Sequence, residues 1–345
     1  MILGSSVGGI MVVGFVIIME YAGNNNRDVI SALYQVPFAM GHMMLGLIGY
    51  FLRDYVYFQL CISVSNVILL FYICLLPETP RWLLAVNKTT EAIAVVERVA
   101  KINNLPLDEI ERKIELYQLD HKSSTAKRGT AIDLFLTPNL RKNTMVMAFL
   151  WLVSSYCYYG VSQYISRLSG DIFMNVVASG GFCFVACFIA IPLMRYMGRK
   201  TVVIFANSAC GICLLVIAVI PEGIASVAFG CAGVLFSFMV LVVVYLYCSE
   251  MFPTVVRNAA LGISSMMARL GAMIAPFVAG FGPYGKWCAP VAFGVFPIIA
   301  AVLCLLLPET KDCELLMTLE EGEAFGNKLA RRRSDITTSN TAAIT

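Results

Sequence analysis

The amino-acid sequence predicts an all-α polytopic membrane protein, and three observations carry that expectation. Hydrophobic residues fill 59% of the 345 positions and charged residues only 14%, whereas ordinary soluble domains are roughly a quarter charged. The mean hydropathy is +0.78, too apolar to leave a water-facing surface. Nine stretches approach the length of about 20 apolar residues that a spanning helix needs: 2–22, 30–52, 56–76, 144–165, 172–196, 201–221, 224–248, 259–281 and 288–308. A soluble enzyme, a nucleic-acid module and a disordered regulator are excluded on the same ground.

Three of these spans precede a long polar segment and six follow it. The segment from Pro80 to Asn143 carries eleven Lys/Arg. Two of its stretches have helical amphipathic spacing, one through Ala92, Val95, Val96 and Val99, the other from Pro106 through Ile110, Ile114 and Tyr117. The chain thus divides into a partial first bundle of three helices at 1–79, a partly helical linker domain at 80–143, a six-helix bundle at 144–310 and a tail at 311–345. With the linker in the cytoplasm, 21 of the 25 Lys/Arg lie inside, Arg53, Arg167 and Lys286 lie outside, and Arg269 falls within a span. The opposite orientation violates the positive-inside bias. This topology places Met1 at the outer face and the basic tail Arg331, Arg332, Arg333 in the cytoplasm. Residues Met1 to Tyr21 lack a basic leading region and read as a span rather than a cleavable signal. Most of the twelve cysteines sit singly in apolar runs, where Cys behaves as a small hydrophobe, so few or no disulfides are expected.

An internal repeat orders the spans. Glu20 precedes Arg27 by the same seven residues that separate Glu250 from Arg257, an offset of 230 between the two pairs; Pro77-Glu78-Thr79 recurs as Pro308-Glu309-Thr310, an offset of 231. Two separate markers agree on one period. Helices one to three therefore correspond to the last three, as a duplicated six-helix half requires. By that logic three further helices are expected before Met1, and the chain reads as nine of twelve transmembrane helices.

The same residues carry a family resemblance. With Pro-Glu-Thr-Pro-Arg-Trp-Leu-Leu at 77–84, Met-Gly-Arg-Lys at 197–200, Ser-Glu-Met-Phe-Pro-Thr-Val-Val-Arg-Asn at 249–258 and Leu-Pro-Glu-Thr-Lys at 307–311, the sequence resembles the major facilitator superfamily. Within it, the organic cation, anion and carnitine transporter family is the most similar. The resemblance covers the chain to about Lys311 and implies a major facilitator fold, with family helices 4 to 12 represented here. It also implies a solute carrier of the plasma membrane.

Arg269 is the one basic residue deep inside a span, too central to snorkel easily to either interface. Placing it there costs about 2.5–3.5 kcal/mol on insertion scales, which a water-filled cavity or a partner offsets. Its fork of donors suits a substrate carboxylate, and the resemblance implies a position that is basic in anion and carnitine members. Ser265 lies one turn away on the same face. In helix 154–163, Ser155, Tyr159 and Gln163 stack at i, i+4 and i+8 with Tyr158 beside them, a polar-aromatic stripe that faces protein or water rather than acyl chains. The resemblance places Tyr158, Tyr159 and Tyr245 among the substrate-cavity aromatics. Gln35, Phe38 and His42 share one side of the second span, near Tyr34 and a Pro37 that suggests a kinked or opened helix. His42 reads better as hydrogen-bonded structure than as a proton-coupling group.

Glu20, Arg27, Glu78, Arg81, Arg199, Glu250, Arg257 and Glu309 collect at span termini on the inner side. Solvated flanking charges would look the same, but the repeated Glu-to-Arg spacing points to ion pairs closing a cytoplasmic gate. No Gly-rich phosphate loop, metal-ligand spacing or nucleophile elbow occurs, which argues against an enzyme, a cofactor, ATP or a nucleic-acid partner. The expected function is alternating-access transport of a small organic ion across the lipid bilayer, an anion or carnitine-like zwitterion before a cation. Between Phe182 and Pro192, Cys183 and Cys187 stand where the resemblance implies an acid or a base, which counts against dicarboxylate exchange. Two other readings share these residues: a truncated product that does not transport, and a proton-coupled sugar transporter, disfavoured by Arg269 and by the lack of a central membrane carboxylate.

Overall fold

In the computed structural model of the chain, the described residues are 2–21, 26–67, 78, 80–85, 88–103, 110, 112, 114, 130–165, 171–221, 223–281, 285, 287–311, 313, 316 and 318–326. Among them every regular element is a helix. In chain order these are α1 Ile2–Tyr21, α2 Arg27–Phe51, α3 Tyr55–Ser65, α4 Pro80–Ala85, α5 Thr89–Ile102, α6 Asp133–Leu136 and α7 Pro138–Ile165. There follow α8 Ile172–Met197, α9 Arg199–Val219, α10 Ile224–Met251, α11 Thr254–Ala279, α12 Cys288–Cys304 and α13 Leu319–Ala324.

Among the described residues five helices, α7 to α11, are long and apolar enough to cross a membrane, while α3 and α12 are apolar but shorter. The second half of the third expected span, 68–76, lies outside the described residues. Helix α2 is long enough at 25 residues but more polar, carrying Arg27, Asp28, Gln35 and His42. It runs through Pro37 as a single helix rather than opening there. Several helices also begin or end beyond their apolar stretches. Helix α7 starts at Pro138, a residue pre-set for a first helical turn, α10 runs on to Met251 and α11 starts at Thr254. Glu250 and Arg257 are therefore helical residues, not flanking ones.

The chain forms two compact units, Met1–Gly23 with Leu52–Lys127, and Asn24–Phe51 with Arg128–Thr345. In the first, α4 packs on α5, and Leu83, Ala92 and Ala100 are buried. The expected helix around Ala92 forms, although Val99 is exposed. Most of the stretch from Pro106 lies outside the described residues.

In the second unit α7 packs against α11, α9 lies against α10 and α12, and α2 packs on α8 and α10. Its interior is filled by Trp151, Tyr158, Phe238, Tyr247 and Phe293. Phe188, Met266, Met273 and Phe277 are exposed on its outside, as suits a surface whose solvent is hydrocarbon. Contact between α7 and α11 depends on Gly271, where an added Cβ would run into the backbone oxygen of Leu152. Gly262 on the same helix faces open space.

Local chemistry fixes the helix ends. Asp171 caps α8 by accepting from the backbone N–H groups of Phe173 and Met174, at 2.9 and 3.2 Å, a typical Asx cap. Gly198 separates α8 from α9 at φ 85°, a left-handed conformation that L side chains resist. The short helix α13 begins with a capping box between Thr318 and Glu321, as its Thr-x-x-Glu sequence dictates. Its Glu323 carboxylate accepts from the backbone N–H groups of Asn139, at 3.0 and 3.1 Å, and Leu140, at 2.9 Å. The Asn139 amide returns two bonds, to the carbonyls of Glu323 and Phe325, both at 2.8 Å. The tail is thus clipped to the first turn of α7, where the helix dipole favours a negative charge.

Two predictions follow from this packing. Gly271→Ala lowers the unfolding midpoint of the detergent-solubilised protein by the equivalent of about 1–3 kcal/mol. Gly262→Ala raises it slightly, since alanine is the better helix former by about 1 kcal/mol. Equal shifts for the two would contradict the close approach of α11 to α7. As for Glu323, partial burial pushes its carboxyl up, but the N–H groups of Asn139 and Leu140, together with Thr137 and Lys142, outweigh burial and hold it below the ordinary glutamate range. A depressed carboxyl stabilises the docked tail above the unfolded value and ceases to do so as pH falls through the folded one. Cleavage within 313–326 by an acid-active protease should accelerate across that descent, and Glu323→Gln should make the tail labile already at neutral pH.

Candidate functional site

Two clusters gather most of the residues singled out from the sequence, and both lie in the second unit. The first is an aromatic interior where α2, α7, α8, α10 and α11 meet. Tyr158 on α7 is 2% exposed and stands at its centre. Its ring lies 5.0 Å from Tyr159, 5.3 Å from Phe238 of α10 and 6.0 Å from Phe38 of α2. Phe38 and Phe238 stack nearly parallel, 5.9 Å apart at 12°. The Tyr158 hydroxyl bonds His42 Nδ1 at 2.7 Å, and His42 Nε2 lies 3.1 Å from Ser179 Oγ on α8.

Arg269 on α11 is half-buried and interacts electrostatically with both Tyr159 and Tyr245. Tyr245 packs on Trp151, with centroids 4.3 Å apart, and is also within electrostatic range of Tyr34. Ser265 and Gln35 are buried. The stripe of 154–163 is divided: Ser155 is buried, Tyr159 half-buried and Gln163 exposed. This side of the molecule therefore combines flat aromatic walls, which suit organic rings and cations, with one guanidinium.

The second cluster is ionic and joins the start of α9 to the ends of α10 and α12. Glu309, just beyond α12, accepts from the backbone N–H groups of Arg199 and Lys200 at 2.9 and 3.1 Å. A carboxylate at a helix N-terminus satisfies groups that have no intrahelical partner. The absent side chain of Gly198 is what lets it in, because a Cβ there would sit 2.7 Å from Glu309 Oε2. Arg199 pairs with Glu250 at 3.0 Å, the two side chains only 13% and 12% exposed. The other Glu250 oxygen accepts from Thr310 Oγ1 at 2.7 Å, and Arg27 acts on the same carboxylate electrostatically. Lys200 Nζ donates to the carbonyls of Leu305 and Leu307 at 2.8 and 2.6 Å, satisfying the open C-terminal end of α12. Arg257 Nε donates to the Phe252 carbonyl at 3.3 Å.

Of the eight expected gate residues, Arg27, Arg199, Glu250 and Glu309 come together in this way, and Arg257 bonds at the start of α11. Glu78 is exposed and belongs to the first unit. The side chains of Glu20 and Arg81 lie outside the described residues. Sequence reasoning missed an ion pair between Asp28 of α2 and Arg195 of α8, with Nε 2.6 Å from Oδ2. No repeat or spacing marks it; the one available signal was two opposite charges near the ends of the second and fifth expected spans. Trp151 and Phe238 were missed because a buried aromatic in an apolar run looks like ordinary core. Among the described residues the eleven cysteines are free thiols, and no cluster of His, Cys, Asp or Glu could hold a metal.

Comparison with known proteins decides the family. The model of "Sugar (and other) transporter" proteins matches residues 1–320. The chain belongs to that family. Its similar relatives include the Drosophila melanogaster "Organic cation transporter-like protein", 32% identical over 95% of this chain and 60% of the relative. Another is human "Solute carrier family 22 member 2", 30% identical over 90% of this chain and 56% of the relative. Mouse "Solute carrier family 22 member 12" is 28% identical over 93% and 59%. The chain spans about 60% of the length of these relatives. Among solved structures it is similar to the proton:xylose symporter XylE of E. coli, with a TM-score of 0.65 at 19% identity, over 91% of this chain and 70% of that one. That likeness shows the major facilitator fold, and the relatives are transporters rather than enzymes.

The ionic cluster generates a prediction. Removing one partner of a nearly buried pair strands the other charge, which costs about 3–5 kcal/mol, so Arg199→Ala should lower the unfolding midpoint sharply. Lys88→Ala, at an exposed pair with Glu91 whose side chains are 51% and 56% exposed, should leave it nearly unchanged. Comparable losses in thermal melts of the two variants would refute the structural weight given to Arg199.

Proposed function

We propose that the chain provides the substrate-binding cavity and inner gate of a plasma-membrane transporter. It would move small organic ions by alternating access, with the linker and the tail in the cytoplasm. The observation that carries this reading is that Arg269 lies within electrostatic reach of Tyr159 and Tyr245, with Tyr159 packed on the ring cluster of Tyr158, Phe38 and Phe238. Flat aromatic faces bind the organic part of a substrate, and a guanidinium in a low-dielectric setting selects its charge. Ser265 and Gln35 supply further polar groups. The names of the relatives, organic cation transporters and members of solute carrier family 22, support an organic ion over a sugar.

Charge preference rests on Arg269. An organic anion or a carnitine-like zwitterion brings a carboxylate to it, while a simple cation is repelled. Arg199, Glu250, Glu309 and Arg27 act as the inner gate, whose pairs break and reform as the halves of the whole transporter rock.

The test is binding and uptake by the protein in liposomes, with benzoate, carnitine, benzyltrimethylammonium and xylose as probes. Benzoate or carnitine should be favoured, and Arg269→Asp should shift preference toward the ammonium probe by about tenfold or more. A shift of that kind supports the reading. Equal handling of both charge classes by both forms removes Arg269 from the mechanism, xylose uptake driven by a proton gradient replaces the reading with a sugar transporter, and binding without uptake identifies a product that does not transport.

A further inference from the structure

His42 joins three helices through two bonds, and the chemistry of its neighbours fixes which ring nitrogen holds the proton. Ser179 Oγ lies 2.9 Å from the carbonyl oxygen of Val176 and donates its proton there. Its lone pairs alone are left for His42 Nε2, 3.1 Å away, so Nε2 carries the imidazole hydrogen. Nδ1 is then bare, and at 2.7 Å it accepts from the Tyr158 hydroxyl. In this state the phenol proton of Tyr158 is engaged, and its oxygen offers only lone pairs to whatever lies beside it, the Cys183 thiol included. A proton added to Nδ1 inverts that bond. The imidazolium donates to the Tyr158 oxygen, and the phenol O–H is released to donate elsewhere.

The titratable groups around this pair are Tyr159 on α7 and Cys183 on α8; Cys187 of α8 and Cys231 of α10 stand within reach of Cys183, Arg269 of α11 acts on Tyr159, and α10 also presents Phe238. The charged residues of α2, α8 and α10, namely Arg27, Asp28, Arg195 and Glu250, stand three helical turns or more along their helices from His42, Ser179 and Phe238.

We propose that His42 is a positioning residue that sets the hydrogen-bond polarity of Tyr158: with His42 neutral the phenol presents an acceptor to the substrate, and with His42 protonated it presents a donor, favouring a carboxylate. The inference rests on the reading that Tyr158 lines the substrate cavity. It makes carboxylate binding acid-stimulated and ammonium binding acid-inhibited, with His42 titrating and Arg269 supplying a constant charge.

The chain has two histidines, so nitrogen NMR of the full, histidine-labelled protein in lipid nanodiscs resolves His42 once His42→Gln identifies its signals. At neutral pH the protonated Nε2 and bare Nδ1 form is expected, with the Nδ1 signal moving in Tyr158→Phe. The opposite form, or an Nδ1 signal indifferent to Tyr158→Phe, overturns the positioning role. In the same nanodiscs benzoate affinity should rise as pH falls from 8 and His42 takes up its proton, by about tenfold at the limit, the size of one charge-assisted bond gained, while benzyltrimethylammonium affinity falls. His42→Gln keeps a donor and an acceptor but cannot titrate, so it should flatten both profiles. A purely structural role would leave the pH dependence intact in that variant, which overturns the proposal. If the NMR result holds while neither variant changes the binding of either probe, the cavity reading has failed and the switch of substrate preference fails with it.

Discussion

Hydrocarbon offers no hydrogen bonds, so a polar group in a spanning helix must find its partner inside the protein. The second unit is organised by that constraint. Backbone groups satisfy it within the helices, and several serines and asparagines satisfy it by bonding a carbonyl three or four residues back, as Ser154, Asn207 and Ser237 do. Groups that cannot be satisfied locally decide which helices meet. His42 bonds Tyr158 through one ring nitrogen and Ser179 through the other, and so ties α2 to α7 and α8 at once. Helix packing by apolar surface alone would leave the rotation of α2 loosely specified, because lipid tails are as apolar as leucine.

The same constraint explains why the charges concentrate at one end. Each helix junction there leaves unpaired N–H or carbonyl groups, and Glu309 and Lys200 meet them in opposite senses. The carboxylate serves the N-terminus of α9, and the ammonium serves the C-terminal carbonyls of α12. Arg199 is thereby freed to pair with Glu250. Pro-Glu-Thr and Gly-Arg-Lys, far apart in the chain, are two halves of one capping arrangement, and Gly198 is small so that Glu309 can approach.

This also shows what was legible in the sequence. The fold class was legible because composition, span length and a duplicated pair of markers all act over whole helices. The ionic cluster was legible because its members sit in short motifs that recur. Helix limits were misjudged at α7, α10 and α11, since hydropathy ends where charge begins while the helix continues, its polar turns satisfied by caps and ion pairs. The bonds His42–Tyr158, His42–Ser179 and Asp28–Arg195 were not legible at all. They span more than a hundred residues and depend on the rotation of α2 about its own axis, which no spacing within one helix reports. His42 was rightly read as hydrogen-bonded, yet nothing local could name Tyr158 as its partner.

Helix α2 carries a consequence of its own. It begins with Arg27 and Asp28 at the ionic end and holds Phe38 and His42 against the aromatic cluster, so one rigid rod ties the two sites. Asp28 and His42 are 14 residues apart, about 21 Å along a helix, and both bonds of α2 to α8, Asp28–Arg195 and His42–Ser179, lie on the same pair of helices. A rotation or slide of α2 against α8 large enough to open the ionic end therefore strains the His42 bonds and the stacking of Phe38 on Phe238 as well. Conversely, a ligand that competes for the Tyr158 hydroxyl weakens one of the ties holding α2 in place. On the proposed reading of the two clusters as cavity and gate, coupling between them needs no relay of side chains; it follows from a stiff helix having its two sets of bonds at two heights.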